Sequence, residues 1–279
     1  MTAAPVEVEP GLYDIPAEQY HHDPIPGGSL SSTGVRRLSD CPARFKHFLD
    51  HPEPPRPAYE FGTAFHTHIL GDGPELIVVD ADRWDTNEIK AEVAEIRAAG
   101  NVPLKPEAKQ RIDDMAEVLA AHPEASELLT PDSGTAELSA FWPDPQGVWR
   151  RARFDWLRPD GIADLKSTTS VHPDALEKTV EKYRYYQQDP FYRETAIELG
   201  AIPPDGFFKF VFQEKSEPYL VQVVELDFPA RVIGSELNSR AIHTYLHCMA
   251  TGEWPAYGNA TTYVSLPSWF ERKYIEENS

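Results

Sequence analysis

The chain has 279 residues, of which 41% are hydrophobic and 25% charged, the proportions of an ordinary soluble globular protein. No apolar run reaches the roughly 20 residues of a membrane helix, and the acidic, proline-broken start does not resemble a secretory signal, so we expect a cytoplasmic protein with no membrane partner. The net charge of −19 argues against a protein that coats nucleic acid over its whole surface. A local site for a phosphate ligand remains open, because metal ions reverse the sign of a carboxylate cluster.

The two cysteines, Cys41 and Cys248, are too few for the four thiolates of an iron–sulfur cluster or a Cys₄ zinc site. They lie far apart in the sequence, each in a helical context. We therefore expect two buried free thiols and no iron–sulfur cluster.

The chain is predicted to hold an N-terminal arm and one domain. Residues 1–28 are rich in proline and end in the turn PIPGG, which indicates an extended arm. Residues 29–279 show no internal repeat, and their proline-rich stretch at 51–59 is short, which favours a single domain. Within it, apolar positions three and four residues apart across about 85–124 predict a helical insertion before the first core strand.

Helices are predicted on both sides of this insertion. Residues 31–33 offer an N-cap for a helix that runs through Phe45. A second helix is predicted over 63–70, closed by Gly71. A long helical segment is predicted from about 173 to 199.

The apolar period changes after residue 135, where strands are expected. The first two strands alternate apolar and polar residues, and the third is short and largely apolar. The five predicted strands are TAELSAFW (135–142), GVWRRARFDWL (147–157), GIADLKS (161–167), FFKFVFQ (207–213) and YLVQVVELD (219–227). A last helix over about 229–251 completes a mixed α/β arrangement around one sheet.

The second and third strands form a hairpin that carries two acidic residues and a lysine. A two-residue turn within RPDG (158–161) would place Asp155 directly opposite Asp164, with their Cβ atoms about 5 Å apart. Lys166, two residues further on, would project from the same face. A bulge at the turn is the alternative, and it would pair Asp155 with Leu165.

Facing carboxylates on a buried sheet are costly unless a cation lies between them. Mg²⁺ binds one or two carboxylates and keeps several waters, one of which can attack a phosphodiester. A nearby lysine can help to deprotonate that water or stabilise the charge that grows on the phosphate. The alternative is an exposed hairpin in which the acidic residues and the lysine only form ion pairs.

Asp155, followed by Asp164-Leu165-Lys166 on paired strands, resembles the core of the PD-(D/E)XK nucleases. Further motifs in the same order resemble the phage-type RecE exonuclease (exonuclease VIII) group. They are SLSSTGVRRLSDCPARF, the Gly-x-Ala-x-His sequence in FGTAFHTHIL, the strand AELSAFW, the helix motif YRYYQQDPFYRE and the C-terminal VSLPSWF. The similarity spans residues 29–272.

The resemblance implies an α/β fold with a restriction-endonuclease-like core, in which helices flank a central mixed five-stranded sheet. It implies catalytic roles for Asp155, Asp164, Lys166 and Glu137, although the facing of Glu137 on an alternating strand stays open. The implied metal site consists of His66, Asp155, Asp164 and Leu165. Magnesium is the implied cofactor, and manganese is expected to substitute.

His66 shares its predicted helix with His68, so an H-x-H zinc site is an alternative. Residues two apart on a helix do not face each other, which disfavours this alternative. The metal site implied by the resemblance therefore uses His66 alone.

The implied DNA-binding residues include the helix motif Tyr185, Gln188 and Tyr192. The last two are four residues apart, so they share a helix face and can hold a phosphate, brace Lys166 or simply pack. Pro190 departs from the group's pattern, because proline kinks a helix or marks its start, and this leaves the place of Tyr192 open.

Ser32, Thr33 and Arg36, at the start of the first long helix, complete the DNA-binding candidates. Free backbone N–H groups at a helix N-terminus can bind a terminal 5′-phosphate. An ordinary N-cap is the alternative explanation for the hydroxyl residues.

The resemblance implies a metal-dependent exonuclease that degrades one strand of double-stranded DNA from 5′ to 3′. The remaining 3′ single strands would serve recombination through a single-strand annealing protein. A ring-shaped homo-oligomer, a trimer or tetramer, is also implied, and it would reconcile the charge of −19 with a positive inner channel.

Two alternatives belong to the same superfamily, and a third belongs to a different class of protein. The iron–sulfur branch of the same superfamily is disfavoured by the cysteine count. An endonuclease of the superfamily stays open, and so does a non-catalytic DNA-end-binding or scaffold protein. Divalent-metal binding separates the last from the nucleases.

Overall fold

One mixed sheet forms the centre of the computed structural model, which describes residues 8–51, 59–81, 83–258 and 260–278. Seven of the nine described strands belong to it, in the order β1-β5-β6-β7-β8-β9 with β2 beside β6, and β3 pairs with β4 separately. The strands are β1 (Gly11–Tyr13), β2 (Leu30–Ser31), β3 (Leu76–Val78), β4 (Val102–Leu104), β5 (Thr135–Pro143), β6 (Trp149–Arg158), β7 (Gly161–Thr168), β8 (Phe207–Glu214) and β9 (Val221–Val224). Among the core strands β5 to β9, only the β7–β8 pairing is parallel.

The predicted mixed sheet with flanking helices is confirmed, and its five predicted strands are β5 to β9. The strand count of five is too low for the whole sheet, because β1 and β2 add to it. These two strands have three and two residues. Segments this short have too few residues to show an alternating pattern in the sequence. They are recognised as strands only in the folded chain, where β1 pairs with β5 and β2 pairs with β6.

The described helices cover both faces of the sheet. They are α1 (Ala17–His21), α2 (Ser32–Asp40), α3 (Pro42–Asp50), α4 (Glu60–Leu70), α5 (Asn87–Ala98), α6 (Pro106–Ala121), α7 (Pro123–Leu128), α8 (Pro173–Tyr183), α9 (Tyr185–Glu198), α10 (Phe228–Thr251) and α11 (Ser268–Asn278). The predicted insertion at 85–124 holds α5, β4, α6 and the first residues of α7.

Two helices predicted as continuous are each divided. The first divides at Cys41, which is extended and is followed by Pro42 at the first position of α3. A proline fits there because the first helical N–H has no partner in the helix. The second divides at Arg184, whose φ of 53° lies in the left-handed region and ends α8.

Pro190 neither begins nor ends a helix, since α9 starts five residues earlier and continues past it. Proline cannot donate a hydrogen bond to the carbonyl four residues back, which is that of Tyr186. Gly234 of α10 packs against this carbonyl so closely that an added Cβ would lie 1.6 Å from its oxygen. Pro190 thus lies inside a helix that packs closely against α10, and Tyr192 stays in register one turn after Gln188.

Apolar residues fill both sides of the sheet. On one side Phe154, Ile162 and Phe208 pack under α8 and α9. On the other side Phe65 of α4 and Met115 of α6 pack with strand residues. A third cluster packs α2, α3 and α10 together behind α9. The sheet is therefore buried on both faces, and polar groups on its central strands lie in a largely apolar environment.

The described part of the predicted arm, residues 8–28, contributes β1 and α1 and packs around Phe141 of β5. Residues 1–7, and 52–58 of the proline-rich stretch, lie outside the described residues. At the other end of the chain, residues 260–278 are exposed along their whole length. Within the described residues, no helix is both long and apolar enough to span a membrane.

Candidate metal centre

The hairpin register places the two acidic residues of the predicted site at one level. Arg158 pairs with Gly161 and Trp156 with Ala163, which confirms the two-residue turn and not the bulge. Backbone pairing then stops, although Asp155 and Asp164 come next in register. In its place, Asp155 Oδ2 accepts a hydrogen bond of 2.8 Å from the Leu165 backbone N–H.

The neighbouring strand β5 is irregular at the same level. Glu137 has a φ of 49°, a conformation that non-glycine residues rarely adopt, and its backbone pairing with Asp155 is missing although the register continues on both sides. Side-chain alternation breaks here too: Phe154 lies in the core under α9, whereas Trp156 lies in the core beside α4. A regular strand would place both on one face. This irregularity turns the Glu137 and Asp155 side chains toward a common point.

His66 of α4 completes a group of three potential metal ligands with Glu137 and Asp155. One ligand atom from each residue lies within 4.8 Å of the other two. The His66 Nδ1 atom is 3.5 Å from Asp155 Oδ2. One imidazole nitrogen and two carboxylates form a donor set that suits a divalent cation.

Asp164 lies beside this group but makes other contacts. Its Oδ1 accepts a hydrogen bond of 2.7 Å from Gln188 Nε2, and its Oδ2 forms an ion pair with Lys166. The Lys166 Nζ atom is also 4.0 Å from Asp155 Oδ2. The three-residue group therefore contains Glu137, whereas the resemblance implied Asp164 as a ligand beside His66 and Asp155. The Leu165 side chain is aliphatic and has no donor atom, so only the backbone carbonyl of this residue could serve as a ligand.

The carboxylates are held where their charge is unfavourable. Burial, and then the Asp155 carboxylate, raise the pKa of Glu137 to about 7. Burial raises the pKa of Asp164 to about 6, with Asp155 adding to the rise against the effect of Lys166. The pKa of Asp155 is raised as well, also by burial. A bound cation would offset this cost, so these residues fit a metal site.

The two basic residues of the site, His66 and Lys166, differ in protonation state. Burial and the nearby Lys166 cation lower the pKa of His66 to about 4, so the ring is neutral at pH 7 and keeps a lone pair for a metal. Burial alone would lower the pKa of Lys166, but Asp164 and Asp155 raise it above its ordinary value. Lys166 is therefore a cation in this site.

His68 does not join the group. His68 lies two residues after His66 on α4, and its Nε2 atom is 3.1 Å from Asp113 Oδ1 on α6. The structure therefore does not form the H-x-H zinc site considered from the sequence.

The helix motif lies against the site from the other side of the sheet. Tyr185 packs near Lys166, whose Nζ is 5.5 Å from the ring centroid. Tyr192 packs edge to face on Phe154, with ring centroids 5.5 Å apart. Tyr192 is thus a packing residue in this structure, whereas Gln188 contacts an acidic site residue directly.

The hydroxyl residues at the start of α2 differ in their roles. Ser31 is the N-cap, because its Oγ accepts a hydrogen bond of 3.1 Å from the Gly34 N–H. Ser32 is buried, and its Oγ has no hydrogen-bond partner among the described residues. Arg36 donates hydrogen bonds to the Tyr183 carbonyl (2.7 Å) and to Thr33 Oγ1 (2.9 Å). Burial lowers the pKa of its guanidinium, and Asp164 is among the charges that act in the opposite direction.

The sequence did not indicate that Arg153 contacts the acidic site. Its Nε donates a hydrogen bond of 2.6 Å to Glu137 Oε2. Its spacing of two residues from Asp155 on a strand was the available signal, since such residues share a face in a regular strand.

Residues 31–267 match the family described as "PDDEXK-like domain of unknown function (DUF3799)". The fold is similar to a crystal structure from Eubacterium rectale described as a "Putative exonuclease", with a TM-score of 0.63 and 11% sequence identity. The similarity covers 93% of this chain and 98% of that one. No curated protein matches the sequence.

Proposed function

Because the chain belongs to the PDDEXK-like DUF3799 family, we propose that it is a divalent-metal-dependent exonuclease that hydrolyses phosphodiester bonds of double-stranded DNA. The observation that carries this proposal is the convergence of His66, Glu137 and Asp155, with Lys166 4.0 Å from the Asp155 carboxylate. The similarity to the Eubacterium rectale structure extends to the whole fold and supports a nuclease.

The three grouped residues would hold the cation, with Asp164 adjacent. A divalent ion supplies Lewis-acid polarisation of the phosphate and activation of the attacking water. Carboxylate-rich sites of this kind suit Mg²⁺, and we propose magnesium as the natural ion with Mn²⁺ as a substitute.

Lys166 has a separate role in this proposal. Because the two acidic residues raise its pKa, Lys166 is protonated and is a poor base. Its ammonium group is instead suited to donate hydrogen bonds to a phosphate oxygen on which negative charge grows. Gln188 holds Asp164 through its 2.7 Å hydrogen bond and so keeps the partner of Lys166 in place.

We propose 5′→3′ degradation, as in the RecE-like enzymes that the motifs resemble, leaving 3′ single strands for strand annealing. The start of α2 supports a 5′-phosphate site. Asp164 is among the charges that act on the pKa of Arg36, and the buried Ser32 hydroxyl has no partner among the described atoms. Thr33 is exposed and next to both. Together these residues could bind a terminal phosphate at the helix N-terminus.

Proposed partners are double-stranded DNA ends, a single-strand annealing protein and further copies of the same chain in a ring of three or four. The C-terminal segment supports self-association, because Tyr263, Val264 and Trp269 are 95%, 88% and 63% exposed. Apolar side chains exposed in this density are typical of a protein interface. We place the protein in the cytoplasm of a bacterial or phage-infected cell.

Digestion of linear and closed-circular duplex DNA, with Mg²⁺ or a chelator, tests the proposal. The wild-type chain should degrade only linear DNA and only with metal, and Asp164→Ala should be inactive. The direction is tested with linear DNA that is labelled at a 5′ end or at a 3′ end. Early release of the 5′ label as mononucleotide would support the 5′→3′ direction, and early release of the 3′ label would contradict it. Cleavage of closed circles would instead indicate an endonuclease. No cleavage with any metal would favour a DNA-end-binding protein.

A further inference from the structure

Arg153 of β6 connects the metal centre to the N-terminal segment. Its side chain is only 11% exposed. Besides Glu137, it donates hydrogen bonds to Ser139 Oγ at 2.7 Å and to the Ile15 backbone carbonyl at 2.8 Å. The guanidinium therefore contacts a potential metal ligand, its own sheet and the segment between β1 and α1.

Glu137 needs such a partner more than the other ligands do. Its backbone has a φ of 49°, outside the regular strand conformation. Asp155 is held by the Leu165 N–H, whereas Arg153 is the only residue in the described part of the chain that donates a hydrogen bond to the Glu137 carboxylate. Without the guanidinium, this largely buried carboxylate close to another acidic residue would turn toward solvent or take up a proton.

We propose that Arg153 is a positioning residue that holds the Glu137 carboxylate toward the bound metal, and that its bond to Ile15 makes the N-terminal segment part of this support. The inference rests on the proposed metal-dependent function. It goes beyond that function by assigning a role to a residue outside the acidic and lysine motif, and to a segment distant in sequence from it.

Arg151 provides a matched control on the same strand. It forms an ion pair with Asp23 and donates two hydrogen bonds of 3.0 Å to Ser29. Like Arg153, it is largely buried and ties the N-terminal segment to β6, with a side chain 16% exposed. Among the described contacts it makes none to Glu137, so it separates anchoring of the segment from positioning of the ligand.

Binding of Mn²⁺ to the full-length chain, followed by electron paramagnetic resonance and calorimetry, tests the proposal without relying on cleavage. Arg153→Gln should weaken Mn²⁺ binding by about 10- to 100-fold, the usual effect of losing a group that orients a metal ligand. Arg153→Lys, which keeps the charge but not the planar group, should recover part of the affinity. Arg151→Gln should stay within about twofold of wild type. Thermal melts should show both glutamine variants to be destabilised, because each loses buried hydrogen bonds.

A double-variant cycle adds a readout that general loosening of the fold would not give. If Arg153 acts through Glu137, Arg153→Gln should cause no further loss of Mn²⁺ affinity in a Glu137→Gln background. Three outcomes would overturn the inference about Arg153 but not the proposed function. They are an equal loss of Mn²⁺ affinity in Arg151→Gln, additive losses of affinity in the cycle, and unchanged affinity in Arg153→Gln. Absence of Mn²⁺ binding by the wild-type chain would overturn the proposed function itself.

Discussion

Asp155 accepts a hydrogen bond of 2.8 Å from the backbone N–H of Leu165 at the point where β6 and β7 stop pairing. The carboxylate thereby takes the place of a ladder acceptor while its Oδ2 also lies 3.5 Å from His66 Nδ1. One side chain thus links the two strands and also belongs to the group of potential metal ligands. Structural and chemical roles can be separated only by a change that keeps the acceptor and removes the charge.

Asp155→Asn is such a change, because an amide oxygen can still accept the Leu165 bond. We expect cleavage to be lost, while the free energy of unfolding without metal stays equal or rises by about 0.5–2 kcal/mol. The reason is that burial raises the pKa of Asp155, so the charged form is disfavoured in the fold. Urea unfolding with chelator measures the stability, with the exposed Asp160→Asn as control. A clear loss of stability would mean that Asp155 is mainly structural.

His66→Ala should weaken binding of Mn²⁺ by more than the roughly 10- to 100-fold typical of an outer partner, because a direct ligand is removed. His68→Ala is the matched control on the same helix, since His68 pairs with Asp113. It should bind Mn²⁺ like the wild-type chain. Equal losses in the two variants would show that the effect comes from disturbing α4 and not from ligation.

Metal binding should release a proton near neutral pH, because the pKa of Glu137 is raised to about 7. Between its ordinary pKa and pH 7 the metal-free folded state holds more protons than the unfolded state, so stability without metal should fall as pH rises through this window. Affinity for Mn²⁺ should rise over the same window and level off above it.

Calorimetry in buffers of different ionisation enthalpy measures this proton release directly. We expect release at pH 6 and little at pH 8, and loss of the difference in Glu137→Gln. A proton count that does not change between these pH values would count against Glu137 as a ligand.

Lys166→Gln should separate metal binding from chemistry. We expect the rate of cleavage to fall by about 10²- to 10⁴-fold. Affinity for Mn²⁺ should stay the same or increase, because the lysine cation competes for the Asp164 and Asp155 carboxylates. Single-turnover digestion beside a Mn²⁺ titration measures both. Wild-type cleavage by this variant would remove Lys166 from the mechanism.

Removal of residues 258–279 should reduce self-association, because this segment exposes most of its aromatic side chains. Light scattering after size-exclusion chromatography should show an oligomer for the full chain and a smaller species for the truncated one. The free energy of unfolding per subunit should change little, as the segment makes few contacts with the core. An unchanged oligomer after truncation would place the interface elsewhere.

The sequence by itself determined the strands β5 to β9, the two-residue turn at RPDG and the level at which Asp155 meets Asp164. These features depend on alternation and turn geometry, which act over a few residues and can be read from a single segment. The position of His66 and the role of the helix motif rested on resemblance, since no local rule brings α4 or α9 to the hairpin.

Only the tertiary structure decided which residues form the group of three potential metal ligands. Glu137 joins His66 and Asp155 because β5 and β6 break their alternation together, and Asp164 turns to Lys166 and Gln188. The same holds for α9, which continues through Pro190 while Gly234 of α10 lies against the Tyr186 carbonyl. Such outcomes depend on packing between elements far apart in the chain, where the energy of a contact can override local preference.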